Sequence, residues 1–194
     1  MKKSGILLSI ILLASIGINA QSNWGFDLAH TGVRFSVAHM VISEVEGTFS
    51  KFEGTVKTTK EDFSDAEIFF KIDVNSINTE DAKRDEHLRS ADFFNTEKYP
   101  DITFKSKSIE KVADNKYKIT GDFNMHGVTK EITIDAKYGG TIIDPWGNTK
   151  AGFKVKAEIN RVDWNLKYNS VMDSGGLMIG EDVEIVCNIE LIKS

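Results

Sequence analysis

The sequence predicts an all-β fold of about eight antiparallel strands, closed as a barrel or stacked as a sandwich, with short helical cap segments. Three observations predict it. Apolar and polar residues alternate with period two over most of the chain after Trp24. Turn-forming residues punctuate that alternation at short intervals: Asp114-Asn115, His126-Gly127, Gly139-Gly140, Pro145-Trp146-Gly147 and Gly175-Gly176. Each strand has one apolar face and one face rich in Lys and Glu. Such a fold sits in water with its apolar faces turned inward. The charged outer faces exclude a lipid-facing barrel, where a mid-depth charge costs about 2–4 kcal/mol.

The elements follow in order. Lys2 and Lys3, an apolar run from Ile6 to Ile18 and then Asn19-Ala20-Gln21 have the parts of a secretory signal peptide. Residues 1–20 are therefore expected to be removed, leaving 21–194 as one domain. The apolar run falls short of the roughly 20 residues a membrane span requires. Val33, Phe35, Val37 and His39 share one face of an early strand, and Phe52, Gly54 and Val56 share another. Ile68, Phe70, Ile72 and Val74 oppose Glu67, Lys71 and Asp73. Alternation then stops. Lys83-Arg84-Asp85-Glu86-His87-Leu88-Arg89 reads as a helical turn or two, with Arg89 facing Asp85 and Glu86. Leu88, Phe93 and Phe94 are the large apolar side chains available to hold that cap down. Strand alternation resumes through Phe104, then Tyr117 to Met125, Ile132 to Tyr138, Ala151 to Ile159 and Val183 to Leu191.

Composition narrows the function. A net charge of −5 argues against a general nucleic-acid binder, which needs a basic surface to neutralise phosphates. Cys187 is the single cysteine and falls mid-strand on the apolar face, as a buried structural thiol does. The histidines, His30, His39, His87 and His126, show no metal-ligand spacing. There is no nucleophile elbow, Rossmann fingerprint or P-loop. His126-Gly127 reads as a hairpin turn, Ser174-Gly175-Gly176 as a flexible turn, and Trp164 as a packed strand aromatic. No resident cofactor or catalytic residue is indicated.

The cap carries a resemblance. Lys83 to Phe94 with Glu97-Lys98-Tyr99-Pro100 is similar to the signature of the YceI-like family of polyisoprenoid-binding proteins. Phe35-Ser36-Val37, Met125-His126-Gly127-Val128-Thr129-Lys130, Asp144-Pro145-Trp146-Gly147, Ala151-Gly152-Phe153 and Ile159-Asn160-Arg161 match it further, in order. The resemblance implies a lipocalin-like, closed antiparallel β-barrel in the periplasm or secreted. It implies a polyprenyl or isoprenoid-quinone ligand inside the barrel and no catalysis.

On residues alone, the inward glycines and alanines (Gly121, Ala136, Ala151, Ala157) suit spare room or tight packing against aromatics equally. Given the implied cavity, strand parity and the cap name its lining: Phe35, Val37, His39, Phe52, Phe70, Ile72, Phe94, Phe104, Ile119, Phe123, Ile132 and Phe153. Arg84, His87 and Arg89 would form a polar gate for a phosphate or quinone oxygen. Two buried isoprene units, ten carbons, contribute up to about 8 kcal/mol gross, against about 0.5–1.5 kcal/mol for a head-group hydrogen bond. The tail is thus expected to set affinity, with loose head-group selectivity. Two other readings stand beside this one: a packed barrel serving protein interaction or stress response, and a lipid-acting enzyme using His39 or His87. Oligomeric state is open, a homodimer included.

Overall fold

A computed structural model of the chain describes residues 20–172 and 175–194. The expected signal peptide, apart from Ala20, and Ser174 lie outside the described residues. The described chain forms eight antiparallel staves closed into a barrel. Three staves are interrupted. β1 (Ser22–Phe26) and β2 (Gly32–His39) are halves of the first, β3 (Ser43–Phe49) and β4 (Phe52–Thr58) of the second, β5 (Glu67–Asp73) and β6 (Ile77–Asn78) of the third. The other five are continuous: β7 (Asp101–Ala113), β8 (Lys116–Met125), β9 (Val128–Ile143), β10 (Thr149–Asn160) and β11 (Ile179–Lys193). The ring runs β1-β4-β5-β7-β8-β9-β10-β11 and returns to β1. β11 makes the closure. Its early residues pair with β2, as in Cys187 opposite Val33, and its last pair with β1, as in Leu191 opposite Phe26.

Local chemistry explains the breaks. Asp27 ends β1 by accepting from the backbone N–H of Ala29 and, through its carbonyl, of Thr31. Asp73 caps a 3-10 turn at Val74–Ser76, accepting from Asn75, and this separates β5 from β6. His126 and Gly127 both have positive φ, the backbone a two-residue hairpin requires.

The charged cap is a helix, α1 (Ala82–Arg89), started by Asp81, whose carboxylate accepts from the N–H of Lys83 and Arg84. The expected pairs within it do not form. Asp85 is buried and accepts from the N–H and hydroxyl of Thr79, at 2.9 and 2.6 Å. Arg89 instead donates to the Ile77 carbonyl at 3.4 Å. Satisfying buried backbone outweighs exposed ion pairs, which are worth little. Trp164 is buried as expected, but in a 3-10 turn (Arg161–Trp164) rather than a strand, set edge-on to Phe123 at 5.4 Å.

The two ends differ. Opposite α1 the barrel is plugged by a small buried cluster of Trp24, Val56, Phe63, Ala66, Ala151 and Leu191. Phe63 is the plug. Its ring meets Trp24 at 5.1 Å, Phe153 at 5.0 Å and Tyr138 at 5.7 Å. It holds a positive φ of 59°, an unfavourable backbone for an aromatic residue. Asp65 fixes that loop by accepting from the Thr58 hydroxyl and the N–H groups of Thr59 and Lys60. These bonds outweigh the burial that alone would raise its pKa and hold the carboxyl below the usual carboxylate range.

Inward small residues divide between the two roles left open by the sequence. Ala157 faces free space. Gly121 is covered: a Cβ there would lie against the Lys105 carbonyl and 2.6 Å from the Phe104 ring. Gly121→Ala should therefore cost about 1–3 kcal/mol of stability, measured by urea unfolding; a neutral result would mean that both the ring and the Lys105 carbonyl give way freely.

On the outer wall Lys150 joins Asp27 and Glu190 at 2.8 and 2.7 Å. Its ammonium, and then His30, hold the Asp27 carboxyl well below the usual range, while Asp27 and then Glu190 push the Lys150 pKa up. A lowered carboxylate pKa stabilises the fold above the unfolded value and loses effect as pH falls through the folded one. A raised ammonium pKa stabilises below the unfolded lysine value. Lys150→Met should thus lower the thermal midpoint most between about pH 4 and 10, and melts at about pH 3 should still show most of the gap from wild type, which closes only in stronger acid.

Candidate functional site

The inward faces enclose a cavity of about 580 Å³ at the α1 end of the barrel. Its walls explain an oddity of the strands. Ile132, Ile134, Val155, Val183, Ile185 and Ile189 point inward yet are only half-buried, because free space rather than a packed core faces them. The volume falls within the range of small-molecule sites.

Of the twelve residues named from the sequence, ten line this space: Phe35, Val37, His39, Phe70, Ile72, Phe94, Phe104, Ile119, Phe123 and Ile132. The remaining two do not. Phe52 leans on the Phe70 ring at 5.6 Å, and Phe70 rather than Phe52 lines the cavity. Phe153 has moved to the plugged end, where it lines a separate 60 Å³ void. It faces inward in phase with Val155, but one strand step nearer the plug, where it meets Phe63.

The mouth is built by α1 and by the chain after β10. Arg84 lines it and is braced by Thr79, its Nε donating to the hydroxyl at 2.7 Å and Nη2 to the carbonyl at 2.5 Å. His87 lines it as well, edge-on to Tyr168 at 4.8 Å and Phe93 at 5.1 Å, with Asp92 3.3 Å from Nε2. Arg89, the third expected gate residue, turns away to the Ile77 carbonyl and does not line the cavity. The structure adds Arg161, Leu166 and Tyr168 to the wall. No periodic signal marks them, because they lie in a 3-10 turn and an irregular segment.

This geometry, a hollow barrel with a helical cap at one mouth, matches known proteins along its length. Residues 24–191 match the YceI-like domain. The chain belongs to the YceI-like family. Relatives of this YceI-like chain include the Staphylococcus aureus UPF0312 protein SA2479, 35% identical over 170 residues, covering 87% of this chain and 96% of the relative. Among solved structures, the Campylobacter jejuni YceI protein is 31% identical, covers 81% and 90% of the two chains, and superposes with a TM-score of 0.69. A polyisoprenoid-binding domain from Saccharophagus degradans shares the fold at a TM-score of 0.68 and 15% identity, covering 88% and 98%.

One group of potential metal ligands stands outside the cavity. Asp27, His30 and Glu190 converge, but the Lys150 ammonium lies against both carboxylates and is the cation there. No helix among the described residues is long and apolar enough to cross a membrane.

Cys187 forms part of the cavity wall of the YceI-like barrel, and burial pushes its thiol up to about 12. Thiolate is the reactive form, so the folded protein should give no colour with a charged disulfide reagent at pH 8. One thiol per chain should appear on denaturation; rapid reaction of the native protein would refute this burial.

Proposed function

We propose that this protein binds one isoprenoid lipid, a polyprenyl chain or an isoprenoid quinone, inside its barrel and sequesters or carries it without catalysis. One observation carries the reading: a closed barrel with a charged exterior encloses an apolar hollow. A packed barrel built for protein contacts would have filled that space with its own side chains. Burial of a hydrocarbon chain supplies the affinity, at about 0.8 kcal/mol per carbon gross, less the entropy of association. The half-buried Ile and Val faces are the surface that gains most from such a chain. Arg84 and His87 line the mouth as a polar gate through which the head group passes. The shared fold with the polyisoprenoid-binding domain from Saccharophagus degradans supports this ligand class. The protein acts after export, following removal of a signal peptide near Ala20, in the periplasm or outside the cell.

The test has two parts. Mass spectrometry of an organic extract of the protein purified from its host should show an isoprenoid lipid. In titrations of prenyl alcohols of increasing length, affinity should rise at least tenfold per added isoprene unit until the cavity is full. Equal affinity for short and long chains would contradict the proposal.

A further inference from the structure

Arg161 is a buried cation in the wall of an apolar cavity. It is 4% exposed and lines the same space as Phe123 and Ile179. Its position comes from the turn that follows β10. Asn160 caps that turn by accepting from Val162, and this directs residue 161 beneath the segment leading to β11. The guanidinium is held by carbonyls alone. Nε donates to Gly180 at 2.8 Å, Nη1 to Leu166 and, at 3.1 Å, to Tyr168, and Nη2 to Ile179 at 3.3 Å. Among the described residues four of its five N–H groups find acceptors, and one on Nη2 does not.

Among the described residues the charge has no counter-ion. Among the described residues no carboxylate lies within 4 Å of this guanidinium, whereas the acids nearby in the fold are engaged. Asp163 pairs with Lys130 at 2.9 Å, Asp81 caps α1, and Asp85 is taken by Thr79. Glu181 is exposed and acts only at a distance. Buried charges are normally paired. Carbonyl dipoles take four of the N–H groups here and leave the positive charge standing.

We propose that Arg161 is an inner anchor for an anionic oxygen on the ligand, the carboxylate or phosphate of a prenyl acid or prenyl phosphate. The inference rests on the cavity being a lipid site and adds the class of head group. It places the head beside the wall under Tyr168, with the tail running toward the plugged end. The tail still dominates affinity. The guanidinium adds a preference among heads carried on the same tail.

The experiment compares three ligands of equal tail on the wild-type protein: geranylgeraniol, geranylgeranoic acid and geranylgeranyl phosphate. Calorimetric titration should show at least one anionic form binding about tenfold tighter than the alcohol, one charge-assisted bond's worth. Which anion gains more tells carboxylate from phosphate. The preference should persist at about 0.5 M salt, since a buried charge is screened far less than one at the mouth. Equal affinity for all three overturns the anchor and leaves the lipid-site reading intact; failure of geranylgeraniol itself to bind counts against that reading. In Arg161→Lys, which keeps the charge and loses the planar fork, the preference should fall to within about twofold while alcohol binding is retained. A preference lost in Arg84→Gln, or one that vanishes in high salt, would assign the anion to the exposed mouth and overturn the proposal. The wild-type series decides the matter if the lysine variant does not fold.

Discussion

The structure depends on β11 being paired along both edges. On one side it runs beside β10 from Asn160 opposite Asp182 to Lys150 opposite Ile192. On the other it serves two partners in succession, β2 and then β1. That double use converts a sheet into a ring and removes the free edge that would otherwise invite aggregation. Once the ring is closed, its circumference is fixed by hydrogen bonding and not by the side chains inside. The apolar faces must then enclose whatever room is left over.

Several devices keep that room open at one end and shut at the other. Phe63 closes the far end at the cost of an unfavourable backbone, and its loop is held by the Asp65 hydrogen bonds. Aromatic rings lie over inward glycines, Phe104 over Gly121 and Phe35 over Gly47, so the wall is firm where it is not hollow. At the near end α1 is tied to the barrel by a buried Asp85 and a braced Arg84. The cap is therefore part of the wall and not a loose lid. An empty apolar space forgoes contacts that a ligand restores, and binding to the folded state alone stabilises it.

The fold was largely legible in the sequence because strand parity is a strong signal wherever one face meets water. Val33 to His39, Tyr117 to Met125 and Val183 to Leu191 all face as their alternation predicts. The family motifs gave the closed barrel in place of a sandwich. Parity gives the face but not the height along the barrel, which is why Phe153 is inward yet packs on Phe63 at the plugged end. Helical spacing fails where buried backbone competes for side chains, which is why Asp85 and Arg89 do not meet. Arg161 was not legible at all as a site residue. Its inward turn depends on a cap at Asn160 and on carbonyls five to nineteen residues away, contacts that leave no periodic pattern in the chain.

The Phe63 plug makes the barrel a flask and not a pipe. Cargo cannot pass through it; whatever enters under α1 must back out the same way. For the lipid proposed above, donor and acceptor would have to approach the same face by turns, so delivery would be a sequence of visits and not a continuous flow. The neck of that flask is where His87, Phe93 and Tyr168 crowd together.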